Sequence, residues 1–182
     1  MFVIVSVVCG VCCFCLGIYS LYIVYTYKVF GGETLKTVKE LNTYHRNNTE
    51  KIALAIAQTA SCQAIKLTKN IDLSDVSLDG CDLVFLGTGI RGGEPYVELL
   101  NFLKTINLGS NKRFMLFMTW AGGGASNKLA YQRVKETLEA SGQFLESDYF
   151  ICLGQTFGFA RRGRPNAVDI CEVKKWAIEK LK

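Results

Sequence analysis

With 182 residues, 49% of them apolar and only 2 prolines, the chain has room for one packed domain and one additional segment. The formal charge is +5, and the basic residues are scattered except at Arg161, Arg162 and Arg164. That pattern excludes a nucleic-acid footprint and leaves a mild tendency toward anionic partners. A single histidine, His45, and 8 cysteines without a repeated CxxC pair give no metal site of the histidine or zinc type.

Phe2 to Tyr27 contains no charged residue, and the run stops at Lys28. Its length predicts a transmembrane anchor helix over residues 1–28, with residues 2–27 in contact with the membrane. Tyr19, Tyr22, Tyr25 and Tyr27 gather at one end, where amphipathic rings meet headgroups. Without a basic start or a small-residue cleavage site, the run does not read as a signal peptide. Lys28, Lys36 and Lys39 follow it and none precede it, so the remaining chain is expected to face the cytoplasm. Cys62, Cys81, Cys152 and Cys171 sit among apolar or small neighbours and read as core thiols in a reducing compartment.

Residues 29–35, with Gly31-Gly32, read as a linker, and residues 36–182 as one α/β domain. Asn48 to Ala60 predicts a helix with Ile52, Ala53, Ile56 and Ala57 on one face, and Ala64 to Leu67 a short strand. Asp82 to Thr88 and Phe114 to Trp120 are continuous apolar runs expected as buried parallel strands. Between them, Tyr96 to Ile106 predicts a helix burying Val97, Leu99, Leu100, Phe102 and Leu103. Leu129 to Ser141 predicts the next helix, Phe150 to Gly154 a last strand, and Ala167 to Leu181 a closing amphipathic helix. The expected architecture is a three-layer sandwich.

Ligands of open parallel sheets lie beyond the carboxyl ends of the strands, so chemistry is sought in three loops. Thr43, Tyr44, His45, Arg46, Asn47, Asn48 and Thr49 place hydroxyl and amide donors at a helix start, which suits either a terminal phosphate or plain capping. Thr88, Gly89, Ile90, Arg91, Gly92 and Gly93 follow one buried strand, and Thr119, Trp120, Ala121, Gly122, Gly123 and Gly124 follow the next. Their glycines permit close approach of backbone to a flat ligand.

These motifs resemble the flavodoxin-like family. Asn48-Thr49-Glu50-Lys51-Ile52-Ala53 is similar to the segment that closes the family's phosphate loop. Asp82 to Thr88 with Gly92-Gly93, and Phe117 to Gly124, resemble the segments that flank the flavin ring. Gly163-Arg164-Pro165-Asn166 with Asp169 is similar to the start of the family's last helix. The resemblance implies a doubly wound five-stranded parallel sheet in the order 2-1-3-4-5, and non-covalent FMN. Residues 43–49 would hold the phosphate, and residues 88–93 and 119–124 would border the ring. It implies an electron carrier, or a small oxidoreductase serving an acceptor such as a quinone, with a redox partner protein or small molecule. Leu35 to Asn42, LKTVKELN, stands where the family's first strand would lie but carries Lys36, Lys39 and Glu40. A second expectation is therefore a scaffold module of the same fold without cofactor.

Overall fold

In a computed structural model of the chain, the described residues are 21–27, 48–67, 76, 78, 81–109, 112–155 and 161–182. The elements in chain order are β1 (Leu21–Tyr27), α1 (Asn48–Ala60), β2 (Ala64–Leu67), β3 (Cys81–Arg91), β4 (Glu94–Pro95), α2 (Val97–Thr105), β5 (Arg113–Trp120), α3 (Ser126–Glu139), β6 (Leu145–Leu153) and α4 (Ala167–Lys180).

The sheet has the order β2-β1-β3-β5-β6, with β4 forming a small hairpin against β3. β5 runs parallel to β3 and to β6. β1 is antiparallel to both β2 and β3, so β2 and β3 share a direction, and β1 and the short β4 run against the other described strands. The place expected for the segment 35–42 is taken by Leu21–Tyr27, which runs antiparallel to its neighbours, so the purely parallel five-stranded sheet is corrected to a mixed one.

The last seven residues of the N-terminal apolar run form β1, which corrects the expectation of an anchor helix through Tyr27. Leu21–Tyr27 reads LYIVYTY, all aromatic or branched side chains, a composition that favours a pleated strand over a helix. Among the described residues, no helix is long and apolar enough to cross a membrane. Residues 2–20, the linker at 29–35 and the polar stretch LKTVKELN lie outside the described residues.

Alternation along β3 and β5 sorts the core onto two faces. Val84, Leu86, Phe114, Leu116 and Met118 meet Leu99, Phe102 and Leu103 of α2 and Ala130, Val134 and Leu138 of α3. Leu83, Phe85, Met115 and Phe117 meet Ile52, Ala53, Ile56 and Ala57 of α1 and Val173 and Ala177 of α4. Each large side chain buried this way contributes roughly 1.5–3 kcal/mol. The small residues of α1 bring its axis close to the sheet, and Gly87 lets Phe117 do the same, since a Cβ there would fall 2.1 Å from the ring. Val97, expected inside, is exposed because α2 begins beside the β4 hairpin. Cys81 and Cys152 are buried and Cys62 is half-buried, whereas Cys171 lies on the outer face of α4, correcting its reading as a core thiol.

The start of α4 is a reciprocal cap. Asn166 Oδ1 accepts from the amides of Val168 and Asp169, and Asp169 Oδ2 accepts from the amide of Asn166 at 2.7 Å. The other Asp169 oxygen pairs with Arg164 Nη2 at 2.5 Å. Further along α4, the Trp176 indole lies edge-on to Phe85 at 5.5 Å and donates to Asp148 Oδ2 at 3.2 Å.

Candidate functional site

β3, β5 and β6 end on one edge, and α3 and α4 begin there. Two hydrogen bonds bring the start of α1 to the same edge. Asn48 Nδ2 donates to the carbonyl of Gln155 at 2.9 Å, and the hydroxyls of Thr49 and Thr119 meet at 2.6 Å, both buried. The amino ends of α1, α3 and α4, each the positive end of a helix dipole, therefore converge on one rim.

The glycines expected in the loops have distinct tasks. β3 runs through to Arg91, so Thr88, Gly89, Ile90 and Arg91 belong to the strand and not to a loop. Apolar continuity ended the expected strand at Thr88, whereas hairpin pairing of Ile90 with Pro95 and Arg91 with Glu94 carries it on. Thr88 is fully buried, donating to the Gly89 carbonyl and accepting from the Tyr96 amide at 3.0 Å. The Tyr96 ring lies on Gly89, where a Cβ would come within 2.4 Å of its oxygen. Burial raises the Tyr96 hydroxyl above its ordinary value, opposed by nearby Arg91.

Gly92 and Gly93 form the β3–β4 turn with φ of 62° and 88°. In the β5–α3 loop, Gly123 and Gly124 also have positive φ, and nothing stands within 4 Å of where a side chain would begin at Gly92, Gly123 or Gly124. These peptides face open space, so a flat group can approach the backbone. Trp120 is half-buried at the end of β5, and its carbonyl accepts from the Gly154 amide at 2.8 Å. Thr43, Tyr44, His45 and Asn47 lie outside the described residues, as does residue 46.

Gly154 and Gln155 join the rim without having been singled out in the sequence, and Arg161, there only part of the basic cluster of Arg161, Arg162 and Arg164, joins it through a backbone contact. Gly154 admits the Asn48 amide, which a Cβ would meet at 2.5 Å. The signal was present in Ile151-Cys152-Leu153-Gly154, an apolar strand ending in glycine like Phe85-Leu86-Gly87. Arg161 Nε donates to the Ala121 carbonyl at 2.6 Å and closes the β6–α4 turn onto the β5–α3 loop. Nearby Cys152 is pushed up to about 12, chiefly by burial, so it offers no thiolate to the site.

A family model described as a flavodoxin domain matches residues 43–157. An uncharacterized protein of Methanocaldococcus jannaschii is 27% identical over 155 residues, spanning 81% of this chain and 99% of that protein. The crystal structure of oxidised Flavodoxin 1 from Bacillus cereus superposes with a TM-score of 0.52 at 19% identity, over 75% of this chain and 91% of that one. The last likeness is one of fold.

Proposed function

From the premise that this chain belongs to the flavodoxin-domain family, we propose that it binds FMN non-covalently at the carboxyl edge of its sheet and carries electrons. The observation that supports this most is the convergence of the α1 start, the β3–β4 turn and the β5–α3 loop on one rim, with Gly92, Gly123 and Gly124 open toward solvent. The residues present fit the group. The first-turn amides of α1 suit a phosphate, and the glycine peptides suit the faces and edge of a ring.

Bound FMN supplies reversible electron exchange in one- or two-electron steps. The protein's own work is positioning. Asn48 and the Thr49–Thr119 pair fix the helix start against β5 and β6, so its amides are aimed before a ligand arrives. Residues 43–47 would complete the phosphate loop. Gly92-Gly93 and Ala121 to Gly124 would border the ring and set, through their N–H and C=O groups, how strongly each redox state is held. The acceptor is a partner protein or a small molecule such as a quinone.

One observation favours a second reading, a module without cofactor: the Thr49 hydroxyl turns inward onto Thr119 and does not face out toward an anion. An absorption spectrum of the full-length protein after incubation with FMN and desalting separates the two. Retained flavin bands, weakened by Asn48→Ala, are expected; a folded, colourless sample sinks the cofactor reading.

We also propose attachment to a membrane through residues 2–20, with the domain on the cytoplasmic side because Lys28, Lys36 and Lys39 follow that run. These 19 uncharged residues would measure about 28 Å as a helix, close to the hydrocarbon thickness. Resistance of the membrane-bound fraction to alkaline carbonate is the expected result, and full release would remove the proposal.

A further inference from the structure

Arg161 and Arg162 follow the stretch matched by the family model and lie in the turn that leads to α4. Arg161 has a φ of 55°, a region that costs an L residue of order 1 kcal/mol and persists only where contacts hold it. The contacts are specific. Its Nε bonds Ala121, and its guanidinium covers Gly122, where a Cβ would come within 2.9 Å of Nη2. The cation is therefore fixed beside the β5–α3 loop.

Among the described residues, no carboxylate lies within ion-pair distance of Arg161, Arg162 or Lys128, and all three are exposed. Lys128 stands in the first turn of α3, directly after the same loop. The other charges facing this rim are largely compensated. Glu94 of the hairpin pairs with Arg133 at 3.5 Å, and Asp169 pairs with Arg164. The amino ends of α1, α3 and α4 add partial positive charge. Val97 and Leu129 stand exposed at the hairpin side, and Leu129 Cδ1 lies 3.4 Å from where a Gly93 side chain would begin.

We propose that this rim, with Arg161, Arg162 and Lys128 around the β5–α3 loop, is the docking surface for an acidic partner protein. The role of that partner in electron exchange rests on the FMN reading above. Exposed cations without carboxylate partners, on a rim that also exposes Val97 and Leu129, complement an acidic protein surface. Lipid headgroups are read by denser runs of four to eight cations, roughly, on one segment. Docking here sets the partner against the glycine loops, where the distance for electron exchange is shortest.

The test uses full-length protein and poly-L-glutamate as the acidic probe, with affinity followed by fluorescence anisotropy. Arg161→Ala/Arg162→Ala should weaken binding several-fold, while Lys104→Ala/Lys182→Ala, which removes equal charge at the opposite end of the helices, should not. Arg162→Glu leaves the Arg161 bond intact and should act in the same direction, so a rearranged loop does not decide the result. With FMN loaded and reduced, oxidation by ferricyanide should slow, and oxidation by tris(phenanthroline)cobalt(III) quicken, as salt rises from about 20 to 500 mM. The double arginine variant should flatten both slopes.

Equal binding by the edge and opposite-end variants overturns the proposal. So does loss of binding to phosphatidylserine vesicles in the edge variant with poly-L-glutamate binding unchanged, which would assign the rim to a lipid surface. Arginine-dependent binding in a protein that retains no FMN supports the docking surface and removes only the cofactor reading.

Discussion

Replacing Thr119 by valine keeps the side-chain shape and deletes one hydroxyl of the pair that joins α1 to β5. Thr49 Oγ1, on a residue only 6% exposed, would lose its 2.6 Å partner in a place water does not reach. A lost bond that leaves a buried hydroxyl unpaired costs about 1–3 kcal/mol. Thr49→Val strands the opposite hydroxyl and should cost a similar amount. The double variant Thr49→Val/Thr119→Val strands neither, so its cost should fall below the sum by about 1 kcal/mol or more. Urea unfolding of the four proteins closes the cycle, and thermal unfolding should show about 2–4 °C of Tm for each kcal/mol. Additive single effects, or singles without cost, would refute the buried pair as the tie between α1 and the sheet.

Gly154→Ala should push the Asn48 amide off the Gln155 carbonyl, costing about 0.5–1.5 kcal/mol, and should cost less in an Asn48→Ala background; chemical unfolding of both pairs checks this. Asp148 is held below its ordinary value, first by its hydrogen bond to Lys180 and also by the Trp176 indole. Its contribution is therefore fully present above the unfolded aspartate value, about 3.9, and is lost as pH falls through the lower folded value. Because the pair is solvent-screened, Asp148→Asn should remove no more than about 1 kcal/mol at pH 7, and the loss should shrink as pH falls below about 4, measured by unfolding across that range. Burial pushes Cys62 and Cys152 up to about 12, with Cys81 adding to the rise at Cys62, while Cys171 is exposed. Iodoacetamide at pH 8 should therefore label Cys171 first among these four, as read by peptide mass spectrometry, with the others following only on unfolding.

The elements that were legible in the sequence are those whose periodicity matches their burial. Ala64–Leu67 and α1 appear at their expected bounds, and β5 and α4 each differ by one residue at one end. The start of α4 was recognisable only through the resemblance of Asn166 and Asp169 to a family motif, and their reciprocal cap is seen in the structure. The anchor helix over Leu21–Tyr27 failed because length and absence of charge describe a membrane span and a central strand equally. The branched and aromatic content of LYIVYTY was the deciding property. At the site, Asn48, Thr49 and the loop glycines were recognisable as local motifs. Gly154 and Arg161 were not, since their roles exist only against partners far away in the chain, Asn48 and Ala121.

The place of β1 bears on how the protein can be cut. β2 pairs with β1 and is not paired with β3, so a truncation at residue 30, the natural choice for trimming a greasy leader, would delete the strand between them. It would detach β2 and leave the aliphatic flank of β3 as an open edge, a template for joining one molecule to the next. Expression trials that remove the leader should cut before Leu21; beyond that point, insolubility would report a missing middle strand and say nothing about membranes.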